Sequence, residues 1–233
     1  MAAIEAVNAL TGDVSAAQAG RYDATEAGLS RLSADFYSYA IGADGRSAVP
    51  LGSHAGPNTA GAVSEGGYLG FAELQYVHMP LPGESLVAFL SDGAFEEQRG
   101  SDWSPRWWRA EDSGLPIPVM ILNGRRIEER TQIAQEGGAD WLAAHLQLSG
   151  FDPFVIDGRD PSAMAWAILD AEARLERFVA DPARRYPAPL PYVIAQTLKG
   201  FGFPGAGTNL AHNLPLEGNP HSDPAARGPY GPF

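Results

Sequence analysis

The chain has 233 residues, enough to bury the core of one large domain, and its formal net charge at pH 7 is −12, from 16 basic and 28 acidic side chains. That charge argues against a nucleic-acid partner, because a polyanion would be repelled from the surface. With no cysteine, the chain cannot form a disulfide or a thiolate zinc site, and any metal must be bound by oxygen or imidazole. The amino terminus lacks the pattern of a secretory signal, and the apolar runs are too short to cross a bilayer. We expect a cytoplasmic protein that does not enter the membrane.

Helical patterns and apolar runs alternate along the first two thirds of the chain. Helices are predicted over residues 25–37 and 65–77, followed by strands at SLVAFL (85–90) and IPVMIL (117–122). A third helical pattern covers residues 138–148. The hydrophobicity of the strand segments is continuous rather than alternating, which indicates strands that are covered on both faces, as in a parallel sheet.

The last third continues the same alternation. A weaker strand is predicted at FVID (154–157), and a helix begins at Asp160-Pro161, where a capping residue precedes a proline in the first turn. A further apolar run, YVIAQT, covers residues 192–197. The sequence therefore predicts a three-layer α/β sandwich with a mainly parallel sheet over residues 1–203. Residues 204–233 are rich in Gly, Pro and Asn and are predicted to form an irregular extension.

Polar residues end two of the predicted strands. Asp92-Gly93 follows the first strand and Asn123-Gly124 follows the second. In parallel α/β sheets ligands bind at the carboxyl ends of the strands, and carboxylate and amide oxygens suit Mg²⁺. Glycine would allow a diphosphate to approach the main chain closely. Both dipeptides are also ordinary turn sequences, so this pattern alone leaves a purely structural role open.

Five ordered motifs identify a resemblance. They are PLGSHAGPNTAGAVSEGGYLGF (50–71), LSDGAFEE (90–97), LPIPVMILNGRRI (115–127), QTLKGFGFPG (196–205) and LAHNLPL (210–216). Asn123 follows Asp92 by 31 positions, the spacing that is typical of thiamine-diphosphate enzymes. Over residues 2–216 the chain resembles the amino-terminal, diphosphate-binding domain of phosphoketolases. The resemblance implies the thiamine-diphosphate-binding fold.

The resemblance also implies roles for individual residues. Asp92, Asn123 and the carbonyl of Arg125 would bind Mg²⁺, which holds the diphosphate of thiamine diphosphate. The implied cofactor-binding residues are His54, Gly67, Asp92, Gly93 and Asn123. The implied catalytic residues are His54, Lys199 and His212, of which Lys199 and His212 would face the sugar phosphate and the reacting carbons.

The implied reaction is the cleavage of xylulose 5-phosphate or fructose 6-phosphate with inorganic phosphate, which gives acetyl phosphate and a shortened aldose phosphate. A transketolase-like subunit that passes a two-carbon unit to a sugar is a second hypothesis. The third is a non-catalytic copy that keeps the fold and binds only a partner.

The sequence departs from the family pattern at several points. The family sequence GDGE is SDGA here, so that Ala94 stands where the family has a carboxylate beside the diphosphate. Glu96 or Glu97 could substitute for that missing carboxylate. Arg125 stands where the family commonly has tyrosine. The family's GHG segment should lie just before residue 1, and the glutamate of the pyrimidine-binding domain has no counterpart in these residues. We therefore expect negligible activity from the chain alone, and a pyrimidine-domain polypeptide or a homo-oligomer as its partner.

Other chemistry-bearing side chains have structural interpretations. His145 lies on the apolar face of a predicted helix, where a packing role is expected, and His78 and His221 are assigned no function. The tryptophans of SDWSPRWWRAEDSG (101–114) could stack on a ligand, pack in the core or contact a partner. Arg125, Arg126 and Arg130 could guide a phosphorylated substrate or form a solvated mixed-charge face.

Overall fold

The computed structural model describes residues 8–12, 14, 18–36, 43, 85, 87–97, 105–111, 114–203 and 205–212. The chain divides into two compact units, Met1–Ala62 with Phe233 and Val63–Pro232. The boundary expected at residue 203 stays a prediction. The helix predicted over 65–77 and most of the predicted extension lie outside the described residues.

The first unit contains helix α1 (Glu26–Phe36), which confirms the helix predicted over 25–37. Its Leu32 is buried together with Ala9 and Tyr22 in a small apolar cluster. The hydroxyl of Tyr22 donates a hydrogen bond of 2.8 Å to Asp35 at the end of the helix. This contact ties the segment before α1 to its last turn.

The second unit is built on a sheet of four described strands: β1 (Val87–Ser91), β2 (Ile117–Leu122), β3 (Asp152–Asp157) and β4 (Pro191–Gln196). Their order across the sheet is β1-β2-β4-β3, and every described pair is parallel. β2 and β4 occupy the centre and are almost completely buried, which explains their unbroken apolar sequences. All four strands were predicted to within about two residues at each end.

Four helices in the described part of this unit accompany the sheet. Short helix α2 (Asp92–Glu97) follows β1, and α3 (Gln132–Glu136) and α4 (Ala139–Leu148) connect β2 to β3. Helix α5 (Pro161–Ala180) connects β3 to β4, and its start is capped by Asp160, whose carboxylate accepts a hydrogen bond of 2.8 Å from Ser162 N–H.

The helices lie on both faces of the sheet. The connection from β2 to β3 and the connection from β3 to β4 run in opposite directions across the strand order. Because crossovers between parallel strands are right-handed, α4 and α5 cover opposite faces. The fold is the three-layer α/β sandwich that the sequence predicts.

The core lies between these layers. Side chains from the sheet meet Leu142 and Leu146 of α4 on one face and Ala167, Ala171 and Leu175 of α5 on the other. No helix in the described part of the chain is long and apolar enough to span a membrane.

Candidate active site at the carboxyl ends of the strands

Among the described residues of the second unit, the predicted site residues lie at one edge of the sheet. Ser91 at the end of β1 pairs with Ile121 of β2, and Leu122 of β2 pairs with Gln196 at the end of β4. Since the strands are parallel, the segments that follow β1, β2 and β4 leave the sheet at the same edge. Asp92, Asn123 and Lys199 belong to these three segments.

Asp92 is a fully buried carboxylate. One of its oxygens, Oδ1, accepts a hydrogen bond of 3.0 Å from the N–H of Gly93. The other, Oδ2, accepts a bond of 2.7 Å from the N–H of Gly124, in the loop after β2. Asp92 therefore joins the segments after β1 and β2, which the sequence predicts to form one site.

Burial raises the pKa of Asp92 from its ordinary value of 3.8 to about 6. The negative charge of Glu96 acts in the same direction, whereas the two main-chain hydrogen bonds from Gly124 and Gly93 oppose it. The loss of water around the carboxylate is thus only partly compensated by its hydrogen bonds. A bound cation would supply the missing compensation.

Neutral oxygens belong to the loop that is hydrogen-bonded to this carboxylate through Gly124. The amide oxygen of Asn123 accepts a hydrogen bond of 2.9 Å from the N–H of Arg125, which bends the loop immediately after β2. A Cβ atom added at Gly93 would lie 3.8 Å from the carbonyl oxygen of Arg125 and would clash with none of its neighbours. The carbonyl therefore lies beside Gly93, and the surrounding protein packing alone does not require a glycine there.

The oxygen set suits a hard cation. Within the described ranges, no three His, Asp or Glu side chains cluster so as to hold a metal ion. One carboxylate, one amide and one carbonyl oxygen could supply part of an octahedral shell, and Mg²⁺ commonly takes the rest from water and phosphate. These residues fit a magnesium diphosphate.

An ion pair fixes the loop that carries these oxygens. Arg126 donates from Nε and Nη2 to one oxygen of Glu96, at 3.0 and 2.7 Å. The other oxygen of Glu96 accepts a hydrogen bond from the N–H of Ile133, in α3. The Glu96 side chain is only 8% exposed, and both its oxygens are engaged in holding the loop. The expectation that Glu96 replaces the carboxylate missing at Ala94 gains no support from these contacts.

Lys199 reaches the same loop from the segment after β4. Its Nζ donates a hydrogen bond to the carbonyl of Arg126. Burial lowers the pKa of Lys199, and the positive charge of Arg125 lowers it further, while the negative charge of Asp92 opposes both effects. Lys199 therefore lies within electrostatic range of both Asp92 and Arg125.

A second contact joins residues 205–212 to the loop. Arg125 donates from Nη1 to the amide oxygen of Asn209 at 2.8 Å, and Asn209 Nδ2 donates to the carbonyl of Glu128. Asn209 begins a short 3-10 helix that ends at His212, whose side chain is exposed. Asn209 was missed in the sequence, although it lies one residue before the LAHNLPL motif.

A glycine permits this approach of the two segments. Gly200 has a φ of +69°, and a Cβ atom there would lie 2.5 Å from the Cβ of Ala211. A side chain at residue 200 would thus displace the segment that carries Asn209 and His212.

The structure brings together most of the predicted site. Asp92, Gly93, Asn123, Arg125 and Lys199 meet at the strand ends, and His212 lies in the adjoining segment. The remaining two residues, His54 and Gly67, lie outside the described residues, so their roles stay predictions.

A cleft of about 440 Å³ opens at the same edge, at the ends of β3 and β4. Its polar lining consists of Asp157, Arg159, Gln196 and Thr197, and its apolar lining of Val155, Ile156 and Leu198. Arg159 and Asp157 are paired at 2.8 Å, so that their charges neutralise each other.

Two aromatic groups have packing roles. Trp108 is 1% exposed and belongs to the core, which favours the core interpretation of this tryptophan over a ligand platform or a partner surface. His145 stacks on Trp141 with ring centroids 5.2 Å apart and meets the edge of Phe95. The structural role expected for His145 is consistent with these contacts.

Fold and site together define a parallel α/β protein whose strand ends present a buried carboxylate, neutral oxygens and two cations. The sequence model of the family described as the XFP N-terminal domain matches residues 3–220. The chain belongs to this family, the amino-terminal domain of phosphoketolases.

Relatives support the same assignment. The chain is similar to a "Probable phosphoketolase" of Nitrosomonas europaea, at 29% identity over 185 residues, which are 71% of this chain and 23% of the relative. It is 30% identical over 118 residues to "Probable phosphoketolase 2" of Lactiplantibacillus plantarum, covering 49% of this chain and 15% of that protein. A "Probable phosphoketolase" of Streptomyces coelicolor is 29% identical over 182 residues, 70% of this chain and 23% of the relative. The chain spans less than a quarter of the length of these relatives.

Proposed function

We propose that this chain forms the magnesium- and diphosphate-binding part of a phosphoketolase-like lyase. The enzyme would cleave xylulose 5-phosphate or fructose 6-phosphate with inorganic phosphate to give acetyl phosphate. A polypeptide with a pyrimidine-binding domain, or further copies of this chain, would complete the active site. A cytoplasmic location is part of the same proposal, since it is where sugar phosphates are metabolised.

The hydrogen bond from Gly124 N–H to Asp92 carries the proposal. It joins two segments that are 32 residues apart, and these are the segments to which the family resemblance assigns the metal ligands. A turn that served only to reverse the chain would not need a fully buried carboxylate. A divalent cation would give that carboxylate a partner and offset its loss of hydration.

Each residue of the site would have a distinct task. Asp92, the amide oxygen of Asn123 and the carbonyl of Arg125 would hold Mg²⁺, and the space beside Gly93 would admit the diphosphate. Thiamine diphosphate, when bound, supplies the carbon chemistry that amino-acid side chains lack. Lys199 would bind and orient the anionic substrate.

A protein that binds a partner without catalysing a reaction is the second candidate. Ala94 favours it, since the family has a carboxylate at this position and both oxygens of Glu96 are already engaged. The two candidates differ in a measurable way, because a degenerate site would have lost its affinity for the magnesium diphosphate.

Calorimetry with thiamine diphosphate and Mg²⁺ tests the proposal. The chain should bind thiamine diphosphate and Mg²⁺ with a measurable heat, either by itself or together with a pyrimidine-domain polypeptide of a phosphoketolase. Asp92→Asn should abolish the magnesium-dependent part, because it removes the only anionic ligand at nearly constant volume. Asp157→Asn is the matched control, since Asp157 also ends a strand at this edge but belongs to the neighbouring cleft. Equal binding by Asp92→Asn and the unaltered chain would refute the metal site.

A further inference from the structure

Two cationic side chains at the strand ends are held by neutral groups. The guanidinium of Arg125 donates to the amide oxygen of Asn209 at 2.8 Å, and Lys199 Nζ donates to the carbonyl of Arg126. In the parts of the chain that the structure describes, neither cation has a salt bridge to a carboxylate. Both side chains are held by neutral acceptors, which add no negative charge beside them.

Four arginines of the same unit are arranged differently. Arg126, Arg159, Arg174 and Arg184 of the same unit each pair with a carboxylate at 2.7 to 2.9 Å. Such pairing is expected in a chain with 28 acidic and only 16 basic side chains. Arg125 has no such carboxylate partner among the described residues, although the next residue, Arg126, pairs with Glu96.

The two cations are linked through the same loop, because Lys199 donates to the carbonyl of Arg126, the residue after Arg125. The charge of Arg125 disfavours the protonated form of Lys199, a sign of mutual repulsion. Asp92 attracts Lys199, but its own oxygens are engaged by the N–H groups of Gly93 and Gly124. An anion that contacted both cations would relieve their repulsion.

We propose that Arg125 and Lys199 together bind a phosphate group of a ligand. The arginine would donate from Nε and Nη2, which have no other acceptor among the described residues, and the lysine would supply a point charge. The choice of phosphate over another anion rests on the proposed function. The resemblance indicates that the family commonly has tyrosine at this position, so the guanidinium of Arg125 is a hydrogen-bond donor that the common family pattern lacks.

Phosphate titrations of the full chain test the inference. Binding of inorganic phosphate would be measured by calorimetry with EDTA present, which removes any contribution from a metal. Arg125→Gln and Lys199→Gln should each weaken binding about tenfold or more, because a charge-assisted hydrogen bond is lost. Arg130→Gln is the control, since Arg130 lies in the same loop but is exposed and donates to the carbonyl of Ala134.

The ligands used in parallel identify the source of the phosphate group. Fructose 6-phosphate and thiamine diphosphate would be titrated against the same variants, and the ligand most weakened by Arg125→Gln is the one bound there. No phosphate binding by the unaltered chain, or equal binding by all three variants, would overturn the inference. Because the titrations with inorganic phosphate and fructose 6-phosphate need no metal, loss of magnesium binding in Asp92→Asn would leave their result unchanged, and the two proposals can fail separately.

Discussion

At the scale of single residues, the position of Asp92 explains its chemistry. A carboxylate without exposure to water is unfavourable unless its charge is compensated, and two main-chain N–H groups provide only part of that compensation. The result is a group whose pKa is raised to about 6, close to neutral pH. Buried groups with displaced pKa values are common at functional sites.

The raised pKa has a consequence for stability in the absence of metal. Between 3.8, the ordinary value, and about 6, the folded chain keeps a proton that the unfolded chain has released. The free energy of unfolding contributed by Asp92 should therefore decrease as the pH rises through this window, by about 3 kcal/mol at 1.36 kcal/mol per pKa unit. Protonation restores this stability below the window.

Urea denaturation in EDTA, from about pH 4 to about pH 7, measures the effect. Asp92→Asn cannot ionise, so its stability relative to the unaltered chain should increase over this range. The comparison cancels contributions of opposite sign from Glu111 and Asp157, whose pKa values are lowered chiefly by hydrogen bonds from Tyr186 and Arg159. If the difference in stability between Asp92→Asn and the unaltered chain did not vary with pH, the raised pKa of the buried Asp92 carboxylate would be contradicted.

At the scale of elements, the loop after β2 depends on contacts from both of its neighbours. Glu96 of α2 holds Arg126, and the segment after β4 holds the same loop through Lys199. Thr131, fully buried, accepts a hydrogen bond from Ala134 N–H and so begins α3 at the end of the loop. Contacts from α2, from the segment after β4 and from the start of α3 thus add to the turn that Asn123 makes within the loop.

Two glutamates that pair with Arg126 should differ in their importance. Glu96 is 8% exposed and Glu129 is 65% exposed, although both contact the same guanidinium. We expect Glu96→Gln to lower the free energy of unfolding by about 1–3 kcal/mol, since a buried hydrogen-bonded charge loses its partner. Glu129→Gln should change it by less than about 0.5 kcal/mol. Chemical denaturation of both variants checks this, and similar losses would show that Glu96 does not fix the loop.

The sequence predicted elements best where burial was most complete. The limits of β2 were predicted to the residue, because a strand covered on both faces must be apolar throughout. For β3 the sequence predicts only the last four residues, because Asp152 and Pro153 at its start are residue types that are typical of turns. The burial of Trp108 was one of several interpretations, because the sequence does not indicate which surface covers an aromatic side chain.

The site was predictable from the sequence only in part. Asp92 and Asn123 were found because each ends an apolar run, and Lys199 because it belongs to a family motif. The bond between Arg125 and Asn209 joins residues 84 positions apart and follows no local pattern. Such contacts depend on how loops pack, which strand and helix periodicity does not specify.

At the scale of the whole molecule, the chain is proposed to act as part of a larger assembly. We expect the purified chain to form no measurable acetyl phosphate from fructose 6-phosphate, because the family resemblance assigns activation of the cofactor to a pyrimidine-binding domain outside these residues. Colorimetric detection of acetyl phosphate as its hydroxamate, with and without a pyrimidine-domain polypeptide, makes the measurement. Activity of the chain alone would refute the need for a partner.

The all-parallel arrangement of the described strands also offers a practical advantage. Every described strand begins at the edge of the sheet that lies away from the candidate site, and the turn between α5 and β4 includes the exposed residue Ala183. A fluorophore or surface tether attached through a cysteine introduced there would leave the ligand-facing edge open. Since the chain has no cysteine of its own, the label would be confined to that single position.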